Sequence, residues 1–207
     1  FERPRLPLLR EAAPVTLIDP KVPSGPRTDL GRVVIVGLGY TGLPTALAFA
    51  GAGAQVHGFD IDPVRLDRVR ALDVDVLERD RSRLQAALAS EHFELGDDPE
   101  ILRDADTVVI CVPTPVDEGR APDLGPLTSA CAAVVERAHA GQLLILTSTT
   151  YVGCTTDLLV EPLRARGLVA GRDVAVAFSP ERIDPGNEEF PSERVPRVVG
   201  GATASCS

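Results

Sequence analysis

The sequence contains no methionine and no tryptophan, and its aromatic residues (six Phe and two Tyr) occupy only 4% of the 207 positions. A hydrophobic core must therefore be built from Val, Leu, Ile and Ala, within a hydrophobic fraction of 44%. Such a core favours parallel strands that are buried on both faces. Because methionine is missing even at position 1, we expect the sequence to be a fragment or an incomplete reading frame.

Cysteine is scarce, and its spacing excludes the common disulfide and zinc frameworks. The four cysteines are Cys111, Cys131, Cys154 and Cys206. None belongs to a CxxC pair, and no Cys/His cluster has the spacing of a zinc site, so we expect no bound metal. Cys111 and Cys131 fall within a predicted strand and a predicted helix, where we expect them to act as small, reduced core residues.

Positive charge and long apolar runs are also lacking. Lys and Arg number 21 against 30 Asp and Glu, for a net charge of −9, and the basic residues form no stripe. This argues against nucleic acid and anionic membranes as partners. No apolar run approaches the ~20 residues of a membrane span, and the first residues, FERPRLPLLREAAPV, lack the apolar core of a secretory signal. We therefore expect a cytoplasmic protein.

Two regions differ in composition, and we divide the chain between them. Residues 1–28 are proline-rich and lack periodicity, which predicts an arm without a helix or a strand. Residues 29–207 alternate β-branched runs with helical patterns, which predicts a Rossmann-type α/β domain: a doubly wound parallel sheet with helices on both faces. Strands are expected at 32–37, 55–60, 106–112, 142–147, 173–178 and 197–199. Helices are expected at 41–52, 63–72, 78–90, 124–139 and 155–166, with a short one after Asp98.

The first predicted strand runs into a GxGxxG motif, Gly37-Leu38-Gly39-Tyr40-Thr41-Gly42, which a predicted helix follows. Gly37 permits a tight turn, Gly39 lets the backbone approach a pyrophosphate, and Gly42 lets the helix pack close to the strand. The phosphates would lie against the helix N-terminus, whose N–H groups and dipole favour anions. The motif predicts dinucleotide binding, and a glycine turn that serves only packing is the alternative.

Asp60 ends the second predicted strand, eighteen residues after Gly42. A carboxylate in this place accepts hydrogen bonds from the ribose hydroxyls and repels a 2′-phosphate, which favours NAD over NADP as the cofactor. Arg65, five residues further on, could weaken that preference, or it could itself contact the ribose or the pyrophosphate.

Six motifs then occur in order along residues 31–206: GLGYTGLP, FDIDP, CVPTPVD, STTYVGCTT, SPERIDPGN and PRVVGG. Together they resemble the NAD-binding domain of the UDP-glucose/GDP-mannose dehydrogenase family. The segments that begin at Ser148, Ser179 and Pro196 are most similar to the UDP-N-acetylglucosamine 6-dehydrogenase branch. The resemblance implies an enzyme that oxidises the 6-hydroxyl of a UDP-sugar, UDP-N-acetylglucosamine in this branch, to a carboxylate with two NAD.

The resemblance also implies which residues contact the cofactor. Beside the three glycines of the turn, these are Tyr40, Thr41, Asp60, Arg65, Pro113, Thr114 and Thr149. Thr114 and Thr149 lie just past the carboxyl ends of predicted strands, where ligands bind in open parallel sheets. The alternatives are a hydroxyl that caps a proline turn for Thr114 and a helix cap for Thr149.

Two further residues carry the implied chemistry of the sugar. Glu181, together with Thr149, would hold the water or the proton used at the reacting carbon, as a general acid or base does. Arg182 would line the sugar-nucleotide side through charge-assisted contacts with the UDP pyrophosphate. For both residues the alternative is an exposed, solvated charge in a proline-rich loop.

The family's nucleophilic cysteine and its lysine and asparagine partners lie in a later domain, and so does the usual dimer-forming helix. The resemblance therefore implies that the central and C-terminal UDP-sugar domains are absent, that a homodimer would form through that missing region, and that this fragment binds NAD without turnover. Cys206 lies outside the glycine-rich setting of the family nucleophile, and we give it no catalytic role.

One segment departs from the family pattern. Tyr151-Val152-Gly153-Cys154-Thr155 stands where the family usually has proline followed by Gly-Thr-Thr, so a fixed φ is lost and Cys154 replaces a hydroxyl. Two other functions remain open: an NAD enzyme of the β-hydroxyacid dehydrogenase type, against which the SPERIDPGN segment argues, and a non-enzymatic, NAD-responsive binding module.

Overall fold

The structure is a computed structural model, which describes residues 15–18, 31–76, 78–116, 119–181 and 196–206. In these ranges eight strands form a single sheet. The strands are β1 (Val15–Ile18), β2 (Arg32–Val36), β3 (Gln55–Phe59), β4 (Phe93–Gly96), β5 (Thr107–Ile110), β6 (Leu143–Leu146), β7 (Ala175–Phe178) and β8 (Arg197–Gly201).

The strand order identifies the fold. The order across the sheet is β1-β8-β7-β6-β5-β2-β3-β4. The six strands β2 to β7 run parallel to one another. This is the arrangement of the doubly wound dinucleotide-binding sheet, in which the chain first builds outward from one central strand and then returns to build on its other side. The predicted Rossmann-type fold is confirmed. In this fold a ligand crevice is expected at the carboxyl ends of β2 and β5, from which the chain leaves toward opposite faces of the sheet.

Five α-helices connect the strands in the described part of the chain. They are α1 (Gly42–Gly51), α2 (Pro63–Arg70), α3 (Glu78–Leu88), α4 (Gly125–Arg137) and α5 (Glu161–Ala165). A π-helical turn (Thr156–Val160) leads into α5, and 3₁₀ turns lie at Pro99–Asp104 and Ala204–Cys206. Among the described helices, none has the length and apolar character that a membrane crossing requires.

Helices cover both faces of the sheet and enclose two apolar cores. Successive side chains of a strand point to opposite faces. Val33 and Ile35 accordingly pack in one core with residues of α1, α2 and α3, while Val34 and Val36 pack in the other with α4, the π turn and α5. This confirms the expectation of parallel strands buried on both faces by Val, Ile, Leu and Ala.

Two capping interactions explain where helical turns begin. The Asp62 carboxylate accepts the N–H of Val64 at 2.9 Å, and proline occupies the first position of α2. The Asp98 carboxylate accepts the N–H of Glu100 at 3.0 Å ahead of the first 3₁₀ turn. An acceptor before the first turn, followed by proline, satisfies backbone donors that have no intrahelical partner.

The structure also departs from three of our expectations. Val15–Ile18 forms strand β1, antiparallel to β8, so residues 1–28 are not wholly without regular structure. Strand β4 was not predicted, and it extends the parallel sheet beyond β3. The helix expected at 155–166 opens with the π turn. Leu77, which directly precedes the helix expected at 78–90, lies outside the described residues.

A buried glutamine joins the segments that lead into two neighbouring strands, β5 and β6. Gln142 is 1% exposed, and its Nε2 donates to the carbonyls of Leu102 and Ala105 at 2.9 and 2.8 Å. Its Oε1 accepts the N–H of His139 at 3.1 Å. The amide thus ties the segment before β5 to the segment before β6.

We expect Gln142→Leu to lower the free energy of unfolding by about 3 kcal/mol, because buried carbonyls lose their donor and each unsatisfied group costs about 1–3 kcal/mol. Urea denaturation followed by circular dichroism measures this change. Gln55→Leu, at an exposed position of β3, is the control and should change the stability by less than about 0.5 kcal/mol. Equal effects of the two substitutions would contradict the claim that the Gln142 hydrogen bonds stabilise the fold.

Candidate functional site

The turn between β2 and α1 requires glycine at two of its three glycine positions. Gly37 has a φ of +90°, a backbone angle that residues with a side chain rarely adopt. A Cβ at Gly42 would lie 1.8 Å from the carbonyl oxygen of Gly37, whereas a Cβ at Gly39 would meet no protein atom within 4 Å. Gly42 therefore keeps the helix close to the strand, and Gly39 leaves open space beside the backbone, which fits the approach of a pyrophosphate.

The N-terminus of α1 opens onto that space. Thr41 is its N-cap residue, and its side chain makes no capping hydrogen bond with the described residues. Its carbonyl instead accepts the hydroxyl of Thr45 at 2.8 Å. The dipole of the ten-residue helix and its first N–H groups can therefore act on an anion at the turn.

Two charged side chains hold the glycine turn from the side of β3. The Asp60 Oδ2 accepts the N–H of Leu38 at 2.7 Å, and its Oδ1 accepts the N–H of Asp62 at 3.0 Å. The Arg65 Nε donates to the carbonyl of Leu38 at 2.8 Å. Leu38 itself is fully buried. Asp60 and Arg65 thus order the turn in addition to any contact with a ribose.

A cavity of about 190 Å³ lies at the carboxyl edge of the sheet. It is lined by residues that follow four neighbouring strands, β2, β5, β6 and β7. These residues are Gly39, Tyr40, Thr41, Cys111, Val112, Pro113, Thr114, Thr147, Ser148, Thr149 and Glu181. Segments up to 142 positions apart in the sequence meet here because parallel strands bring all their carboxyl ends to one edge.

The cavity brings together most of the residues singled out from the sequence. Seven of them line it directly: Gly39, Tyr40, Thr41, Pro113, Thr114, Thr149 and Glu181. Gly37, Gly42, Asp60 and Arg65 do not line it, and they shape the adjoining turn instead. Arg182 lies outside the described residues.

Sequence reasoning missed the polar support beneath the cavity. The Thr147 hydroxyl donates to the carbonyl of Ile110 at 2.9 Å, and the Ser148 hydroxyl donates to the carbonyl of Val112 at 2.8 Å. Both residues are buried. They join the end of β6 to the end of β5. Their position just before Thr149, with Ser148 the first residue of the STTYVGCTT motif, was the available signal.

Glu181 forms an ion pair that was also not predicted. The Arg197 Nη1 lies 2.8 Å from the Glu181 Oε2, and the side chains are 33% and 12% exposed, respectively. Such a charge-assisted hydrogen bond fixes the position of a carboxylate. The alternative for Glu181, an exposed and solvated charge, is therefore wrong.

The segment that departs from the family pattern closes a turn after β6. Gly153 has a φ of +100°, and the N–H of Cys154 donates to the carbonyl of Tyr151 at 3.2 Å. The Tyr151 hydroxyl donates to the Asp157 carboxylate at 3.1 Å. These contacts order the segment without the missing proline.

The cysteine in the cavity wall is not suited to act as a nucleophile. Burial raises the pKa of the Cys111 thiol to about 12, against a smaller lowering by the hydrogen bond from Thr147. Burial also raises the pKa of Cys131 to about 12, and Cys154 is 1% exposed. A thiolate is the reactive form of cysteine, so these side chains behave as core residues, as expected for Cys111 and Cys131.

We expect iodoacetamide at pH 8 to modify Cys206 first in the folded chain. Cys206 is partly exposed, whereas Cys111, Cys131 and Cys154 are buried, and pH 8 lies far below the pKa of the thiols of Cys111 and Cys131. Peptide mapping by mass spectrometry measures the four rates, and the reaction in urea, which should label all four, is the control. Modification of Cys111 as fast as Cys206 would contradict this account of the cavity.

The sequence of this chain is similar to those of known proteins over most of its length. The UDP-glucose/GDP-mannose dehydrogenase family, NAD binding domain, matches residues 31–207. A UDP-N-acetyl-D-glucosamine 6-dehydrogenase from Salmonella typhi is 35% identical over 179 residues, which are 85% of this chain and 41% of the relative. An enzyme of the same name from Pseudomonas aeruginosa is 37% identical over 174 residues, which are 83% of this chain and 40% of the relative.

A solved structure shares the fold. The UDP-D-ManNAc dehydrogenase from Pyrococcus horikoshii superposes with a TM-score of 0.69 at 35% identity, covering 75% of this chain and 37% of the other. The chain spans about 40% of the length of the curated relatives described above. The matched region, the strand order and the glycine turn agree, and the chain therefore belongs to the UDP-glucose/GDP-mannose dehydrogenase family, as its NAD-binding domain.

Proposed function

We propose that this chain is the cofactor-binding domain of an NAD-dependent nucleotide-sugar 6-dehydrogenase whose substrate is UDP-N-acetylglucosamine. The observation that carries the proposal is the cavity at the carboxyl edge, where the glycine turn of β2 meets Thr149 and Glu181. A glycine turn of the dinucleotide-binding type and a partly buried carboxylate in one cavity suit an enzyme that oxidises an alcohol beside a bound nicotinamide.

Each end of the proposed cofactor site has a distinct task. Gly37, Gly39 and Gly42, with the N-terminus of α1 from Thr41 onward, would hold the pyrophosphate. Asp60 and Arg65 would hold the adenosine ribose beside the turn that they order. Tyr40, Pro113, Thr114 and Thr149 would form the wall around the rest of the cofactor, supported by the buried hydroxyls beneath it.

Bound NAD would supply the chemistry of hydride acceptance. The tasks left to this chain are to orient the reacting groups and to hold a proton or a water. Thr149 offers a hydroxyl and Glu181 a carboxylate in the same cavity, and a carboxylate positioned in this way acts as a general acid or base. Arg182, which follows directly, would contact the sugar nucleotide.

The identity of the sugar and the completion of the site rest on the relatives. Two of them are named UDP-N-acetyl-D-glucosamine 6-dehydrogenase, and they extend well beyond the matched region. We propose that the cysteine nucleophile and the contacts that form a homodimer belong to that further region. In this proposal the domain binds neither nucleic acid nor membrane, and it works in the cytoplasm.

We expect Asp60→Ala to weaken NAD binding by about ten- to hundredfold, because hydrogen bonds to a charged group contribute about 1.5–3 kcal/mol. Asp60→Asn, which keeps the volume and one acceptor oxygen, should narrow the preference for NAD over NADP because it removes the charge that repels a 2′-phosphate. Calorimetric titration with both cofactors measures these affinities.

Asp98→Ala is the matched control for these variants. Asp98 likewise follows a strand of the sheet and accepts a backbone N–H two residues on, from Glu100, but it lies beyond β4 and outside the cavity lining. It should leave both cofactor affinities unchanged. If the folded wild-type chain bound NADP as tightly as NAD, the assigned role of Asp60 would be wrong.

We expect the chain alone, with NAD and UDP-N-acetylglucosamine, to form no NADH, because the proposed sugar-binding domains and the nucleophile belong to the region that the relatives have beyond it. Absorbance at 340 nm measures this directly, with the complete Salmonella typhi relative as the positive control. Steady NADH formation by the chain would overturn the claim that the active site is completed elsewhere.

A further inference from the structure

The ion pair between Arg197 and Glu181 joins the last parallel strand to the antiparallel one beside it. Strands β7 and β8 pair with the register Ala177↔Gly201 and Phe178↔Gly200. Three residues after Phe178 on one strand and three residues before Gly200 on the other, the same register places Glu181 opposite Arg197. Because β8 runs against the other strands, its first residue, and not its last, lies at the carboxyl edge.

Strand β8 is held from both sides, which fixes the backbone of Arg197. On the side away from β7, β1 pairs with β8 over four residues, and Ile18 is the partner of Arg197. The guanidinium of Arg197 then reaches Glu181 across 2.8 Å. A positive and a negative charge are therefore set side by side at one end of the cavity, and the negative one lines it.

The order of the strand ends indicates which part of the cofactor faces this pair. Asp60 follows β3, the glycine turn follows β2, Thr114 follows β5 and Thr149 follows β6, while Glu181 follows β7. With the adenosine ribose at Asp60 and the pyrophosphate at the glycine turn, the other half of a dinucleotide extends across β5 and β6 toward β7. We therefore expect the nicotinamide end on the side of Glu181.

The two redox forms of the cofactor differ in charge at that end. The nicotinamide ring carries a positive charge in NAD⁺ and is neutral in NADH. A carboxylate near the ring favours the oxidised form, and a guanidinium near it disfavours that form, with an energy that falls with distance and with the effective dielectric constant. Both charges act across a partly buried wall, where solvent screens them less than at an open surface.

We propose that Arg197 and Glu181 together determine the affinity of the domain for oxidised relative to reduced cofactor, with Glu181 favouring NAD⁺ and Arg197 limiting that preference. The inference rests on the proposed function, in which two NAD are reduced for each sugar. Such an enzyme must exchange reduced for oxidised cofactor during its cycle, so neither form should be held much more tightly than the other.

The test is the ratio of the dissociation constants of NADH and NAD⁺, measured by calorimetry at pH 8 and low salt. The variants are Glu181→Gln and Arg197→Gln, which each remove one charge, and Arg197→Lys, which keeps it. Arg172→Gln is the matched control, because Arg172 pairs with Asp173 ahead of β7 and away from the cavity. Thermal unfolding of each variant confirms that it is folded.

Opposite shifts are expected from the two halves of the pair. Glu181→Gln should strengthen NADH binding relative to NAD⁺ binding by about fivefold, and Arg197→Gln should strengthen NAD⁺ binding relative to NADH binding by a similar factor. This is the size expected for a unit charge ~10 Å away at an effective dielectric constant of about 20 with some salt screening. Arg197→Lys should stay close to the wild type, and Arg172→Gln should not change the ratio.

A purely structural role would move the two variants in the same direction, because both would loosen the same contact. Ratios that stay within about twofold of the wild type, or that shift together, would overturn this inference and leave the proposed function standing. If Arg197→Gln does not fold, Glu181→Gln decides alone, and an unchanged ratio counts against the inference. Failure of the folded wild-type chain to bind either form would overturn the proposed function and the inference with it.

Discussion

Position 42 can carry no side chain, because a Cβ there would lie 1.8 Å from the carbonyl oxygen of Gly37. This one close contact sets α1 directly against the end of β2 and turns the helix N-terminus toward the carboxyl edge of the sheet. The open space beside Gly39 lies in the same turn, where Asp60 accepts the N–H of Leu38 and Arg65 donates to its carbonyl. The proposed pyrophosphate site needs no cationic side chain, since backbone N–H groups and the helix dipole can act on an anion.

The rest of the site follows from parallel strands. Because β2, β5, β6 and β7 all end at one edge, short loops far apart in the sequence line one cavity. Buried hydroxyls fasten these loops to each other, as Ser148 does when it donates to the carbonyl of Val112. The antiparallel β8 adds what a wholly parallel sheet could not, since it brings the first residue of a strand, Arg197, to the same edge.

Local patterns allowed much of this to be predicted. The glycine turn, the helix that begins at Pro63 and the buried strands each depend on residues within a few positions, and the structure agrees with them. Strand β4 was missed because it is short and lies at the sheet edge, with only Phe93 buried. Strand β1 was missed because its pairing with β8 joins residues 179 to 185 positions apart and follows from no local pattern. The ion pair of Glu181 with Arg197 depends on that same antiparallel reversal, so the sequence motifs show each residue but not their contact.

The central claim is that the cofactor lies along the carboxyl edge, from the end of β3 to the end of β7. Titration of the ¹⁵N-labelled chain with NAD, followed by amide chemical shifts, tests it most directly. The account predicts that the largest shifts occur at Gly39, Thr41, Thr114 and Thr149, with smaller ones at Asp60 and Glu181. Shifts confined to the opposite edge of the sheet, or to helices α4 and α5, would contradict it.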